Sequence, residues 1–460
     1  MHVMGRPGRS GTAGIQPTPG TSRRLRRAGV AGASSARRLG NTAAAWATLL
    51  ALAGLLLPAP RALANPWTAC VKELRTIATG KGITGDVFDS AFAGVEPDAD
   101  ILKAFDNQPE FTIPIWDYLS GLVDEERVAD GRALIEKWAA LLARAEEKFG
   151  VDRFVIAAVW GVESDYGRIM GKRPLVRSLA TLSCSGRRQA FFRGELLATL
   201  RIVQSGDIPI DALVGSWAGA FGQTQFIPST YQRLAIDFDG DGRRDIIHSV
   251  PDALGSTAHY LKRAGWITGQ PWGYEVRLPP GYAGPAGRRT RQSIAQWSEL
   301  GIRQADGGAL TGTGPAGLLL PSGAKGPAFL VLRNFDAIFA YNAAESYALA
   351  IAHLADRLRG AGGFRTPWPT DDPGIGRAQR REVQQRLLDQ GYDVGVPDGI
   401  VGARTRTAIR AFQASAGLAQ DGRAGVRVLQ ALRASTGAGS PASGTERLQD
   451  APAVLAPARQ

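Results

Sequence analysis

Val155 to Gly171, VIAAVWGVESDYGRIMG, is the stretch whose residue types and spacing most suggest chemistry. Read as a helix, it places Ile156, Val159, Trp160 and Glu163 on one face, so Glu163 continues an apolar stripe. A carboxylate there is costly unless it is neutralised, paired or turned toward a cleft. Low polarity disfavours its charged form, and a raised pKa is what an acid catalyst needs. Asp165 follows two residues later and points elsewhere, so the two do not form a catalytic pair from one helix. The plainer alternative is a helix-end glutamate that satisfies backbone donors. A second stretch, Gly215 to Tyr231, reads GSWAGAFGQTQFIPSTY. Its small residues let backbone approach a ligand, Trp217 and Phe226 offer flat apolar faces, and Gln223 and Gln225 offer amides. That mixture suits a sugar, with its apolar ring faces and hydroxyl rim; tight helix packing would use the same small residues.

These residues need a scaffold. From Pro66 to about Gly360 the pattern is mostly helical, with amphipathic stretches at Ala133–Phe149 and Arg188–Ser205. Tyr274–Leu278 and Phe329–Leu332 read as short strands, so the body is mainly α with a small β element. Residues 361–375 carry three prolines, three glycines and no long apolar run, which predicts a linker that does not pack firmly. A compact unit of short helices follows at 376–433, and the Gly/Ser/Ala/Pro-rich residues 434–460 predict a disordered tail.

The formal net charge of +12 suggests nucleic acid, but residues 1–64 hold nine arginines and no acid. The remainder carries 45 basic against 42 acidic side chains, or +3, which argues against a nucleic-acid partner. Residues 1–64 read as a signal peptide: a basic region through Arg38, an apolar run from Ala43 to Leu57, and Ala62-Leu63-Ala64 before predicted cleavage at Asn65. The run is short for a membrane span, so the expected product is soluble in the periplasm; a retained anchor is the alternative. Ser22-Arg23-Arg24-Leu25 would suit a twin-arginine route. Cys70 and Cys184 are the two cysteines, and both lie in the exported part. An oxidising compartment allows them a disulfide, and two separate buried thiols are equally compatible with the sequence. Two cysteines, four histidines and no HxxH or HExxH pattern argue against a zinc hydrolase.

Taken together, GVESDYG around Glu163, GRRQAFFRGEL at 186–196, GSWAGAFGQTQFIPSTY, DFDGDGRRD at 237–245 and RNFDAIFAYN at 333–342 resemble the family-3 lytic transglycosylases of the membrane-bound murein transglycosylase B type. The resemblance covers about residues 68–360. It implies a lysozyme-like, α-rich catalytic domain (65–360) that cuts the β-1,4 bond between N-acetylmuramic acid and N-acetylglucosamine and leaves 1,6-anhydromuramoyl ends. One carboxylate then suffices: Glu163 protonates the leaving oxygen and afterwards takes the proton of the substrate's C6 hydroxyl. Ordinary glycosidases need two. By the same resemblance, Ser216, Gln225, Phe226, Tyr341 and Asn342 line the glycan groove. Tyr118 joins them, and Arg187 and Arg188 take peptide carboxylates; surface charge is the alternative for the arginines.

Asp237, Asp239 and Asp241 fall at positions one, three and five of an EF-hand-like loop, the Arg243 carbonyl at seven and Asp245 at nine. His248 stands at twelve, where a bidentate carboxylate belongs, so the expectation is a structural Ca²⁺ site weakened by one ligand, or an acidic turn without metal. No cofactor is needed for the chemistry. Residues 376–433 resemble the common three-helix peptidoglycan-binding module, with Asp398-Gly399 and Asp421-Gly422 read as structural turns and the stretch Arg423-Ala424-Gly425-Val426 lacking the usual threonine. The expected partner is therefore peptidoglycan. Two other functions remain open at this point: a non-catalytic wall-binding scaffold, which an intact Glu163 motif opposes, and a hydrolytic muramidase that uses water.

Overall fold

The computed structural model describes residues 65–105 and 113–437. The proposed signal peptide and the tail beyond 437 lie outside the described residues. The chain opens with α1 (Pro66–Gly80), α2 (Gly85–Ala91) and α3 (Ala99–Phe105), then α4 (Ile115–Leu122), α5 (Glu125–Lys137), α6 (Ala139–Phe149) and α7 (Arg153–Ser164). A two-residue β1 (Arg173–Pro174) leads into α8 (Leu175–Cys184) and α9 (Gln189–Ser205) and pairs antiparallel with β2 (Val214–Gly215). Next come α10 (Pro228–Leu234) and α11 (Val250–Arg263). The small β element consists of β3 (Gly273–Arg277), β4 (Gly287–Gln292), α12 (Ile294–Glu299), β5 (Arg303–Gln304), β6 (Ala316–Leu319) and β7 (Ala328–Val331). Its antiparallel sheet has the order β4-β6-β7-β3-β5, with Glu275 opposite Phe329. The chain returns to helix in α13 (Arg333–Asn342) and α14 (Glu345–Arg359), and ends in α15 (Arg377–Asp389), α16 (Ala403–Ser415) and α17 (Val426–Gly437).

The body organises around α14, which is buried almost all round, from Tyr347 through Leu358. It packs against α7, α13, α4 and α5. Its Leu349, Ile351 and Leu354 are fully buried, each such side chain stabilising the fold by about 1.5–3 kcal/mol. α7 is nearly as enclosed, with Val155 to Gly161 buried without a break. A helix without a wet face can be held only by close-fitting neighbours, and Tyr166 shows how close. Its ring sits edge-on to Trp160, and it fills a slot where a Cβ on Gly131 or Gly161 would come within 2.1 or 2.7 Å of the phenol. A second core forms around α8, α9 and the 215–231 segment, and Tyr260 and Tyr341 touch both cores.

Three expectations change. The amphipathic stretch Ala133–Phe149 is broken at Trp138, which ends α5 and starts α6 so that each helix turns its own apolar face inward. The last helix runs to Gly437, past the boundary expected at 433. Most consequentially, residues 361–375 pack firmly. Phe364 stacks on His353 at 3.9 Å and meets Phe329 at 4.9 Å, and Trp368 lies 6.4 Å from Trp116. The Arg365 and Thr366 amides donate to the Glu275 carboxylate at 2.8 and 2.7 Å. Composition misled because Pro367, Pro369 and Pro373 reduce the entropy lost on ordering, while Phe364 and Trp368 have apolar surface to bury. Burial, with the field of Arg357, depresses the His353 pKa to about 4, so its ring stays uncharged near neutrality.

Cys70 of α1 and Cys184 at the end of α8 are joined by a disulfide, with Cα atoms 5.8 Å apart. The bridge spans 114 residues of sequence; on the chain-entropy model a loop of that length stabilises by about 4–5 kcal/mol. Protein from an exporting host should therefore resist alkylation at both positions until reduced, and its Tm should fall on reduction. Two thiols that alkylate freely in the native protein would count against the bridge.

Candidate active site

Glu163 lies in the last turn of α7, half-buried. Asp152 caps the start of that helix by accepting from the Phe154 amide at 2.8 Å. At its end, Asp165 and Tyr166 both adopt left-handed backbone conformations, φ 52° and 60°, which non-glycine residues hold at a cost of about 1–3 kcal/mol each. The turn is secured from several sides. Ser164 donates to the Gln223 carbonyl at 2.5 Å and accepts from the Gly167 amide at 2.8 Å, and Tyr166 donates to the Arg127 carbonyl at 2.9 Å. The two signature stretches also meet backbone to backbone: a Cβ on Gly171 would lie 2.2 Å from the Gly215 carbonyl, so glycine is required there.

Tyr347, near the start of α14, donates a short hydrogen bond to Glu163 Oε1. Its ring stacks against Tyr341 at 6.3 Å, and Tyr341 donates to the Thr224 carbonyl at 2.7 Å. Burial first, and then the charge of Glu163, raise both phenol pKa values well above the ordinary range, so the hydroxyls remain donors. Tyr118 on α4 is close enough to act electrostatically on Tyr347. Tyr347 escapes a reading of local spacing because its partner is 184 residues away; a tyrosine in the apolar stripe of α14 was the available signal.

Among the other expected groove residues, Ser216 is partly exposed and its hydroxyl accepts from the Ala220 amide at 3.0 Å. Gln225 has φ 50° and donates to the Gly222 and Met170 carbonyls, at 2.8 and 3.1 Å. Asn342 is exposed at the end of α13. Phe226 requires a correction. It is 1 % exposed, packed beneath Tyr260 and Tyr341 at 5.9 Å from each, so it supports the wall and does not present its face to a glycan. Gln223 is likewise buried, its amide given to the Ile247 carbonyl at 3.2 Å. An alternation of apolar and amide residues cannot reveal which side of a turn faces solvent. Arg187 and Arg188 are exposed on the α8–α9 connection beside the disulfide, with Arg188 over the Phe191 ring at 4.4 Å.

Asp165 takes no part beside Glu163. Its carboxylate is 6 % exposed and accepts from Arg377 at 2.7 and 3.1 Å, Arg168 at 2.9 Å and Arg127 at 3.2 Å. Burial pushes its pKa up, but the hydrogen bonds of Arg377 and Arg168 and the field of Arg127 prevail, bringing it down to about 2.

In the acidic loop, Asp237 accepts from the Gly240 and Gly242 amides, and Asp241 from the Arg243 amide. Asp245 turns its carboxylate to the Ile247 and His248 amides and to His248 Nδ1 at 2.9 Å. The carboxylates that converge are Asp237, Asp239 and Asp252, whose oxygens lie within 4.8 Å of one another. Asp252 is not in the expected set: α11 brings it back beneath the loop, where it accepts from the Phe238, Asp239 and Asp245 amides. Three convergent carboxylates suit a hard cation such as Ca²⁺ in a structural role.

Residues 66–356 match the family described as the transglycosylase SLT domain, and residues 376–432 match the putative peptidoglycan binding domain. The chain is 35% identical over 245 residues to membrane-bound lytic murein transglycosylase B of Escherichia coli strain K12, spanning 52% of this chain and 66% of that protein. Among solved structures, SltB3 from Pseudomonas aeruginosa in complex with NAG-anhNAM-pentapeptide superposes with a TM-score of 0.65 at 47% identity, covering 80% of this chain and 99% of that one. The Escherichia coli lytic transglycosylase Slt35 in complex with calcium gives 0.57 at 31% identity, covering 63% and 92%.

The Asp165 network yields a pH dependence. The carboxyl titrates at its ordinary 3.8 when unfolded and at about 2 when folded, so it contributes about 2 kcal/mol that is present above roughly pH 4 and is lost as pH falls toward 2. Asp165→Asn should destabilise the protein in urea titrations at neutral pH, and the difference from wild type should shrink as acid is added. A gap that stayed constant down to about pH 2 would contradict the assignment.

Proposed function

This chain belongs to the transglycosylase SLT family, the lytic transglycosylases that act on peptidoglycan, and we propose that Glu163 is its single acid and base. The carrying observation is the contrast between two carboxylates two residues apart. Glu163 is half-exposed with a tyrosine donor on one oxygen. Asp165 is sealed among three arginines. In the proposed reaction, the Glu163 carboxyl gives its proton to the N-acetylglucosamine oxygen as the bond from C1 of N-acetylmuramic acid breaks. The carboxylate then takes the proton of the C6 hydroxyl as that oxygen bonds to C1, closing the 1,6-anhydro ring and restoring the acid. The donor of Tyr347 holds Glu163 in place and favours the carboxylate formed between the two transfers. Ser216, Gln225, Asn342, Tyr341 and Tyr118 are proposed to line the groove, and Arg187 and Arg188 to meet stem-peptide carboxylates.

The same reading makes 376–433 a wall-binding module. Its two Asp-Gly turns are clasped alike, Gln384 accepting from the Gly399 amide at 2.6 Å and Gln413 from the Gly422 amide at 2.9 Å. Among the described residues no helix is long and apolar enough to cross a membrane; export to the periplasm rests on the leader. Asp237, Asp239 and Asp252 are proposed to hold a structural Ca²⁺ on the precedent of the calcium-bound relative.

Glu163→Gln should fold with an unchanged Tm and lose nearly all release of muropeptides from sacculi, because the amide keeps the shape but neither gives nor takes the proton. Wild-type products should carry anhydro ends by mass; reducing ends would instead indicate hydrolysis, and no product a scaffold. Tyr347→Phe should lower kcat/KM about tenfold or more, the scale of one lost charge-assisted hydrogen bond. A variant as active as wild type would remove Tyr347 from the machinery.

A further inference from the structure

Of the three arginines on Asp165, Arg127 and Arg168 belong to the catalytic body. Arg377 does not: it is the first residue of α15 and enters from the C-terminal module. It makes two hydrogen bonds to Asp165, at 2.7 and 3.1 Å, and its Nε lies 4.0 Å from Asp124, the residue that caps α5. Arg377 therefore bridges the end of α7 and the start of α5, and Asp165 is only two residues from Glu163. Elsewhere the module is fastened by contacts that do not involve α7. Arg381 pairs with Glu126, and Arg423 pairs with Asp117 of α4 and with Asp372. Arg423, at the second Asp-Gly turn, is used in that docking.

We propose that Arg377 is a positioning residue for Glu163, so that the C-terminal module forms part of the catalytic scaffold in addition to binding the wall. The inference rests on the assignment of Glu163 as acid and base. The physical argument is the strained end of α7. Two successive left-handed residues without glycine hold their conformation only while outside partners hold them, and Asp165 is the one of the two whose side chain ties the turn to the C-terminal module. Removing Arg377 leaves Asp165 with Arg127 and Arg168 of the catalytic body and no tie to the module, so the last turn of α7 loses part of what fixes its position. Rates depend steeply on such placement, a shift of about 1 Å being enough to cost up to roughly a hundredfold.

The test uses the full chain and short soluble glycan chains, on which wall anchoring has no bearing. Arg377→Met should lower kcat about tenfold with KM within about twofold, and Arg377→Lys should recover part of the loss. Arg423→Met, which weakens the same docking away from α7, should leave kcat within about twofold of wild type. Asp165→Asn should reproduce the Arg377→Met defect, and the double variant should be no worse than either alone, because both changes break one link. Equal losses in Arg377→Met and Arg423→Met would make the module a general stabiliser and overturn the proposal, as would additive losses in the double variant or a change confined to KM. If Arg377→Met fails to fold, Arg377→Lys combined with Asp165→Asn gives the same cycle. An active Glu163→Gln would instead overturn the underlying assignment of the acid and base, whatever the Arg377 variants did.

Discussion

The structure depends on keeping one half-exposed glutamate fixed at the end of a helix that has no wet side. α7 is buried from Val155 to Gly161, and α14, its main neighbour, is buried along nearly its whole length. Close packing holds the axis of α7 but not its last turn, where Val162 and Glu163 are only partly buried. That turn is held by polar contacts: Ser164 to the Gln223 carbonyl, Tyr166 to the Arg127 carbonyl, Asp165 to its arginines and Glu163 to Tyr347. Each is at least partly enclosed, so each is stronger than it would be in water and costlier to break.

Buried charge explains why the C-terminal module is joined to the body as it is. A carboxylate as enclosed as Asp165 is tolerated only with partners, and removing one partner from such a pair typically costs about 3–5 kcal/mol, chiefly from the charge left behind. The same holds on the module side, where burial alone would favour losing the proton of Arg377 and the Asp165 contacts reverse this. The aromatic seam of Phe364 and Trp368 adds apolar burial alongside the ion pairs. A segment whose composition resembled a free tether is in fact a strap, laid between the sheet and α14.

Much of the architecture could be read along the chain. The helix carrying Glu163, the isolation of that residue from Asp165, the small sheet near 271–335 and the helical module after 376 all follow from periodicities that repeat within a few residues. The sheet was only half visible, because β4, β5 and β6 are short and polar or glycine-bearing, and strand pairing, not local pattern, creates them. The acidic cluster was only partly visible for a similar reason: Asp237 and Asp239 lie in the loop, but Asp252 arrives from the following helix.

What the sequence alone determined is local: which residue types sit on which helical face, where turns demand glycine, and that a lone carboxylate interrupts an apolar stripe. The tertiary structure decided who meets whom. Tyr347 reaches Glu163 across 184 residues and Arg377 reaches Asp165 across 212, while Phe226 turns from groove to core. Local geometry repeats every 3.6 residues in a helix and so shows in a short window. A hydrogen bond or buried ion pair between distant segments leaves no period in the sequence, and its partners are fixed only when packing brings the two chains together.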